Sequence, residues 1–151
     1  MPKVCITGTT RGLGKSLAEH FTKKGWEVVE LNRRDMKIEP GIGCDLYINN
    51  AYINGHQIDI VNELYDKVDK MIVMGSVAAD YPDPAMPIYS QDKKELKQRV
   101  LDIANTGKHI LLLELTGQSY NDVDLITKSI DFWLEFPTIT SMTFQPGQPN
   151  R

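Results

Sequence analysis

Short apolar runs alternate along the chain with segments whose apolar residues recur every three or four positions. The short runs predict strands, and the recurrence predicts helices with one buried face. The predicted strands cover Val4–Ile6, Glu27–Leu31, Leu46–Ile48, Met71–Met74, Ile110–Leu115 and Thr138–Phe144. The predicted helices cover a stretch that ends at Gly25, then Ile58–Val68, Tyr89–Asn105 and Asp122–Glu135. This alternation predicts an α/β fold with a doubly wound, Rossmann-type parallel sheet of about six strands.

Two segments refine this pattern. The polar stretch Asp35–Gly43, which contains Pro40, predicts a loop. The last helix carries its inward stripe on Leu125, Ile126, Ile130, Trp133 and Leu134. Phe132 and Trp133 are also candidates for lining a pocket, although the helical spacing of Trp133 favours the core.

Composition narrows the class of protein. A chain of 151 residues predicts a single domain over 1–151, and a net charge of −3 gives no reason to expect a nucleic acid or an anionic membrane as partner. No apolar run approaches the ~20 residues that span a bilayer. The two cysteines lie outside a CxxC motif and predict buried reduced thiols, hence a cytoplasmic protein. The three histidines are scattered singly, so we expect no metal site.

The first predicted strand runs directly into a loop with glycines at 8, 12 and 14, after which a helix begins. Glycines at such a place allow a tight turn and a close backbone approach to a pyrophosphate, and the helix N-terminus offers unpaired N–H groups to the anion. The alternative is a glycine-rich turn that binds nothing. The strand before the loop and the helix after it favour nucleotide binding.

The spacing T-G-x-x-x-G-x-G of this loop resembles the short-chain dehydrogenase/reductase family. Three further stretches are similar to motifs of that family and follow in its order. Asn49-Asn50-Ala51 resembles the start of N-N-A-G, Gly75-Ser76 ends the fourth strand where the family carries its serine, and Tyr89 with Lys93 matches Y-x-x-x-K. Ser76 precedes Tyr89 by 13 residues, the interval usual in the family.

The resemblance implies an NADP(H)-dependent oxidoreductase that transfers hydride between nicotinamide and a small carbonyl or alcohol compound. It implies a catalytic group of Ser76, Tyr89, Lys93 and Asn62, although a capping or surface role for Asn62 is an equal alternative. The cofactor contacts that it implies are Gly8, Thr10, Arg11, Gly12, Leu13, Gly14, Asn32, Arg33, Arg34, Asn50, Ala51, Tyr89, Lys93 and Gly117. It also implies a homodimer or homotetramer.

The residue types suit this chemistry. Positions i and i+4 share a helix face, so Tyr89 and Lys93 can face one site. A phenol has an unperturbed pKa near ~10, and a neighbouring ammonium favours its ionised form. Such a phenol can give a proton to a carbonyl oxygen or take one from an alcohol, while Ser76 hydrogen-bonds the same oxygen. An exposed tyrosine and lysine on a solvated helix face are the alternative.

The end of the second strand predicts which dinucleotide is bound. An acidic residue there selects NAD by binding the ribose 2′-hydroxyl, whereas this chain has Asn32 followed by Arg33 and Arg34. Arg11 in the glycine loop can reach the same place, and guanidinium groups suit a phosphate dianion. We therefore predict NADP(H). The alternative is that Arg33 and Arg34 are ordinary solvated charges.

The chain departs from the family in three places. Only a short segment separates the second and third strands, which predicts that one edge strand of the usual sheet is missing. Tyr52 replaces the glycine of N-N-A-G, and the loop 116–121 is too short for a substrate lid. Two functions of different class therefore remain: a minimal reductase, or an NADP(H)-binding regulatory protein with little or no activity.

Overall fold

The computed structural model describes residues 1–32, 43–53, 55–117 and 119–144. Within them the strands are β1 Lys3–Thr7, β2 Glu27–Leu31, β3 Leu46–Asn49, β4 Lys70–Ser76, β5 Ile110–Leu115 and β6 Ser141–Thr143. The helices are α1 Gly12–Lys23, α2 His56–Leu64, α3 Pro87–Ala104 and α4 Val123–Glu135. Short 3₁₀ turns cover Val77–Ala79 and Ser119–Asn121.

All six strands pair in parallel in the order β2-β1-β3-β4-β5-β6. The common doubly wound order 3-2-1-4-5-6 places one more strand outside its second strand, whereas β2 is the edge strand in the described part of this chain. The predicted parallel sheet of six strands is therefore confirmed, and the described residues contain no strand outside β2. The connections that follow β1 and β3 lead to helices on opposite faces of the sheet, α1 on one and α2 on the other. Doubly wound sheets bind ligands in the crevice that forms at the carboxyl ends of the strands where the connections diverge in this way.

The sheet separates two apolar cores. One core packs α1 and α4 against the sheet face that carries Ile72, Met74 and Leu113. The other packs α2 and α3 against the opposite face, which carries Met71 and Val73. The strands at the centre are buried on both faces, which explains why they read as continuous apolar runs.

The predicted elements are all present, with changed ends. The bounds of β2 and β5 agree with the prediction, whereas α2 begins two residues earlier than predicted and ends four residues earlier. The prediction that Leu125 faces inward is wrong, since its side chain is 45% exposed. Ile126, Ile130 and Trp133 form the buried stripe of α4, and Leu125 lies about 100° around the helix from Ile126, at the edge of that stripe.

The structure also bears on the predictions for Trp133, for the two cysteines and for the polar loop. Trp133 is fully buried and donates its indole N–H to the carbonyl oxygen of Ile139, so it is core. Cys5 and Cys44 are both buried in the core under α2 and α3. All of the predicted loop except Gly43 lies outside the described residues. In the described ranges, no helix is both long enough and apolar enough to cross a membrane.

Candidate active site

The glycine loop joins β1 to α1 at the carboxyl edge of the sheet. Gly8 and Gly12 have φ values of +73° and +61°, which residues other than glycine rarely adopt. A Cβ atom at Gly14 would lie 1.8 Å from the carbonyl oxygen of Gly8. The first turn of α1 therefore packs directly onto the loop, a contact that only glycine at position 14 permits.

The N-terminus of α1 can accept an anion. Its N-cap residue is Arg11, no side chain in the described part of the chain caps the helix, and its first turn holds no acidic residue. The space beside Gly12 is open, since a Cβ atom at this position would meet no described atom within 4 Å. Leu13 turns its side chain into the core, so what it offers at this end is its backbone N–H. Uncapped N–H groups, the helix dipole and open space together fit a pyrophosphate.

The loop is held rigidly by the end of β3. The hydroxyl oxygen of Thr7 accepts hydrogen bonds from the backbone N–H groups of Asn50 (2.9 Å) and Ala51 (3.0 Å). The amide of Asn50 donates to the carbonyl oxygens of Thr7 (3.1 Å) and Gly8 (3.3 Å). The hydrogen bonds of Asn50 thus hold the glycine loop against the end of β3. Thr7, the first residue of the T-G-x-x-x-G-x-G motif, was not among the predicted cofactor contacts and takes part here through its hydroxyl oxygen.

The end of β2 reaches the same loop. Oδ1 of Asn32 accepts hydrogen bonds from the backbone N–H of Thr9 (2.9 Å) and from its hydroxyl (3.3 Å). Thr10 and Arg11, the next two residues of the loop, have exposed side chains. Arg33 and Arg34, the other two predicted contacts, lie outside the described residues.

Tyr89 and Lys93 lie one turn apart on α3. Lys93 is only 1% exposed, and its ammonium donates to Oε1 of Gln57 (2.7 Å) and to the carbonyl oxygen of Met74 in β4 (2.9 Å). Its Nζ lies 5.6 Å from the centroid of the Tyr89 ring, which is half-buried. The lysine is therefore an interior group beside the tyrosine and not a solvated surface charge.

Burial governs the protonation of Lys93. Removing the ammonium from water lowers its pKa to about 8, and the nearby carboxylate of Asp92 offsets only part of that effect. Lys93 is consequently the cation in this group whose charge changes within one or two pH units of neutrality.

Ser76 is the last residue of β4. It follows Met74, whose carbonyl oxygen Lys93 binds, by two residues, a separation of about 7 Å along the strand. Its hydroxyl oxygen accepts a hydrogen bond from the backbone N–H of Ala78 (3.1 Å). None of the described residues accepts a hydrogen bond from this hydroxyl, so its proton can be donated to a ligand. The strand thus carries Ser76 to the end of the sheet that α3 covers with Tyr89 and Lys93.

Tyr52, which stands in place of the glycine in N-N-A-G, packs against Tyr89. The two rings meet edge to face with centroids 4.8 Å apart, and the hydroxyl of Tyr52 donates to Oδ2 of Asp92 (2.7 Å). Burial and this hydrogen bond raise the pKa of Tyr52 to about 12. Tyr52 therefore stays protonated at neutral pH and serves to brace the Tyr89 ring.

The structure does not bring Asn62 to this group. Its side chain is exposed on α2, and its Oδ1 accepts a hydrogen bond from Nε of Arg99 (2.6 Å). Arg99 lies six residues beyond Lys93, about 9 Å further along α3. The surface alternative for Asn62 fits this placement, and Asn62 is not carried into the proposed site.

Gln57 is the residue that the sequence comparison missed. It is 3% exposed and bonds directly to Lys93, yet it matches no motif. A signal was available, because Gln57 falls on the helical stripe that continues through Ile60, Val61 and Leu64. A polar residue at an apolar stripe position indicates a buried hydrogen-bonding role.

The connection after β5 is a tight turn in which Thr116 and Ser119 hydrogen-bond to each other. The backbone N–H of Thr116 donates to Oγ of Ser119 (2.6 Å), and the N–H of Ser119 donates to Oγ1 of Thr116 (3.1 Å). Gly117 is exposed, with open space around it.

Comparison with solved structures identifies the fold. A short-chain dehydrogenase/reductase from Serratia marcescens superposes with a TM-score of 0.71 at 13% identity, over 95% of each chain. The fold is that of the short-chain dehydrogenase/reductases. A 3-alpha-hydroxysteroid dehydrogenase from a Pseudomonas species, complexed with NADH, gives 0.65 at 18% identity over 93% of each chain. A 3-ketoacyl-(acyl-carrier-protein) reductase from Brucella melitensis, also complexed with NADH, gives 0.69 at 15% identity over 94% of this chain and 96% of its own.

No family model matches the sequence, and no curated protein matches it significantly. At identities of 12–18% the solved structures establish the fold alone.

Proposed function

We propose that this protein is an NADP(H)-dependent reductase or dehydrogenase that acts on a small carbonyl or alcohol compound. The observation that carries the proposal is the buried ammonium of Lys93, 5.6 Å from the Tyr89 ring and bonded to the strand that ends at Ser76. A solvated tyrosine and lysine would need no such surroundings. The glycine loop lies at the same carboxyl edge of the sheet, where doubly wound folds bind nucleotides.

Each residue has a separate task in the proposed reaction. Tyr89 gives its hydroxyl proton to the carbonyl oxygen during reduction and takes it back from the alcohol during oxidation. Ser76 donates its hydroxyl proton in a hydrogen bond to the same oxygen and stabilises the charge that develops there. Lys93 places a positive charge beside Tyr89, which favours the ionised phenol after proton transfer. When bound, the nicotinamide supplies or accepts the hydride.

The cofactor is argued from the loop and from the end of β2. The uncapped N-terminus of α1 and the open space beside Gly12 suit the pyrophosphate of a nicotinamide dinucleotide. The choice of NADP(H) rests on the neutral Asn32, which does not repel a 2′-phosphate, and on the exposed Arg11. Arg33 and Arg34 belong to the proposal on sequence grounds.

The test is oxidation of NADPH in the presence of a panel of small aldehydes, ketones and quinones, followed at 340 nm. Tyr89→Phe removes the proton and keeps the ring that packs against Tyr52, so turnover should fall by at least about 10²-fold. Binding of NADPH should be retained. Tyr81→Phe is the matched control, because Tyr81 is 80% exposed and should leave turnover unchanged.

Near-normal turnover of Tyr89→Phe on a substrate that the wild type reduces would show that the assigned acid is wrong. A fall of equal size in Tyr81→Phe would show that the loss is not specific to Tyr89.

The self-bonded connection between Thr116 and Ser119 favours a second candidate, a regulatory protein that binds NADP(H) without turning over a substrate. So short a connection offers little to cover a bound substrate, and water exclusion supports this kind of catalysis. Tight NADPH binding combined with no oxidation across the whole panel would favour this candidate over the enzyme.

A further inference from the structure

The amide of Gln57 has only one orientation that satisfies its neighbours. Its Nε2 donates to the carbonyl oxygens of Asn49 (3.2 Å) and Met74 (3.1 Å), which can only accept. Its Oε1 accepts from the ammonium of Lys93 (2.7 Å), which can only donate. If the amide were flipped, its NH₂ group would face the ammonium of Lys93, and its oxygen would face the carbonyl oxygens of Asn49 and Met74. The acceptor is therefore held facing Lys93.

Gln57 is itself fixed at both ends. Its backbone carbonyl oxygen accepts a hydrogen bond from Nδ2 of Asn49 (2.9 Å), and its side chain is buried on the inner face of α2. Through these contacts it joins the carboxyl ends of β3 and β4 to the helix that carries Tyr89. A side chain so completely bonded defines where the ammonium can lie.

The ammonium of Lys93 has three donors and two bonded acceptors among the described residues, Gln57 Oε1 and Met74 O. The rings of Tyr52 and Tyr89 lie 5.4 and 5.6 Å from Nζ. The carboxylates near this group are Asp92 and Glu95, which line a small cavity together with Tyr52 and Gln57. Both direct acceptors are neutral, so no carboxylate of the described chain neutralises the buried charge by direct contact.

We propose that Gln57 is a positioning residue, which holds the ammonium of Lys93 beside Tyr89 and stabilises its charged form. A buried ammonium that loses one of two acceptors becomes harder to protonate. Burial already lowers the pKa of Lys93 to about 8. Loss of the Gln57 acceptor would leave most of the lysine uncharged at pH 8, and in the proposed reaction Tyr89 would then lack its cation. Only this last consequence rests on the proposed function.

The test follows the titration of Lys93 directly, by NMR of protein carrying isotope-labelled lysine, with Lys93→Met to assign its signal. Gln57→Met keeps the length of the side chain and removes the acceptor, so the pKa of Lys93 should fall by about 1 unit. Gln57→Glu places a carboxylate against the ammonium and should raise it by about 1 unit or more. Gln98→Met is the matched control on the exposed face of α3 and should leave the titration unchanged.

Both substitutions at position 57 remove the donations to Asn49 and Met74, so both should lower stability. A residue with a merely structural role would give the same loss without moving the titration in opposite directions. Folding is checked by far-UV circular dichroism, and a variant that does not fold is replaced by Gln57→Asn, which should shift the titration downward. An unchanged Lys93 titration in the folded variants would overturn the inference.

Measurements of turnover test the proposed function separately from the titration of Lys93. If a substrate is found, the pH profile of turnover should move with the Lys93 titration, down in Gln57→Met and up in Gln57→Glu. If the titration moves as expected and no compound is turned over, Gln57 positions Lys93 and the proposed reaction fails. If turnover is found and its pH profile stays the same while the pKa of Lys93 shifts, the role of Gln57 in catalysis is overturned.

Discussion

At the scale of single residues, the proposed preference for NADP(H) is tested at the side chains beside the glycine loop. Arg11 lies at the N-cap of α1 with an exposed side chain. It follows Thr9 by two residues, and Thr9 donates hydrogen bonds to Oδ1 of Asn32. Asn32 carries no charge, so it neither attracts nor repels a 2′-phosphate. Any selectivity for NADP(H) must therefore come from cations such as Arg11.

Arg11→Ala should weaken NADPH binding about tenfold or more and leave NADH binding nearly unchanged. A charge-assisted hydrogen bond to a phosphate contributes roughly 1.5–3 kcal/mol, and 1.4 kcal/mol corresponds to a factor of ten. Calorimetric titration of the wild type and the variant with NADPH and NADH measures the difference. Arg99→Ala, which removes a guanidinium bonded to Asn62 on α2, is the matched control. Equal weakening of both dinucleotides, or equal affinities in the wild type, would contradict the assignment.

At the scale of elements, one lysine ties α3 to the sheet and to the loop that follows Ser76. Lys97 donates to both carboxylate oxygens of Glu114 in β5 (3.0 Å each) and to Oδ2 of Asp80 (2.6 Å). Glu114 is 3% exposed and also accepts from the hydroxyl of Thr143 in β6. This cluster joins two strands, a helix and a loop, and it stands one turn of α3 beyond Lys93.

Lys97→Met should lower the free energy of unfolding by about 3 kcal/mol at pH 7, because it leaves the buried carboxylate of Glu114 without its cation. Urea unfolding followed by circular dichroism measures this. Lys128→Met is the control, since its pair with Asp124 on α4 is solvent-exposed and should contribute nothing measurable. Equal stability of Lys97→Met and the wild type would show that Glu114 is not held by this lysine.

The same variant should have a defined pH dependence. Burial lowers the pKa of Lys97, but its bonds to Asp80 and Glu114 outweigh this and leave it raised. A raised pKa gives a contribution that is complete below the unfolded-state value near ~10.4 and is lost as the pH rises through the folded-state value. The difference in stability between wild type and Lys97→Met should therefore stay constant from neutral pH to about pH 9 and shrink above about pH 10.4.

At the scale of the whole molecule, the two cores share one sheet whose central strands contribute to both. β4 places Ile72 in the core under α1 and α4, and Met71 in the core under α2 and α3. Unfolding of one core removes β4 from the sheet, and the other core then loses the residues that β4 contributes to it. Destabilising one core should therefore destabilise the other. We predict that the chain unfolds as one cooperative unit.

Ile130→Ala and Ile103→Ala delete the same atoms in the two cores, and each should lower the free energy of unfolding by about 3 kcal/mol. In both variants the urea transitions seen by far-UV circular dichroism and by tryptophan fluorescence should coincide, although Trp26 and Trp133 both belong to the core under α1 and α4. Ile88→Ala is the control, because Ile88 is exposed on α3. If Ile103→Ala left the midpoint of the fluorescence transition at its wild-type value, the two cores would unfold as separate units.

Local sequence pattern was enough to predict the parallel sheet of about six strands, the sequence of strands and helices along the chain, and the glycine loop. These follow from local pattern: β5 is a continuous apolar run because both of its faces are buried, and the loop needs glycine where φ is positive or where Gly14 meets Gly8. Spacing on one helix also placed Tyr89 and Lys93 on a common face, since i and i+4 positions always share one.

Tertiary structure decided what those residues contact. Gln57 and Lys93 are 36 positions apart, and only the packing of α2 and α3 on neighbouring strands brings them within 2.7 Å. Local similarity placed Asn62 among the catalytic candidates, but the rotation of α2 about its axis turns it to the surface and turns Gln57 inward. A motif records which residues are near one another along the chain, whereas burial and hydrogen bonding depend on how separate elements pack.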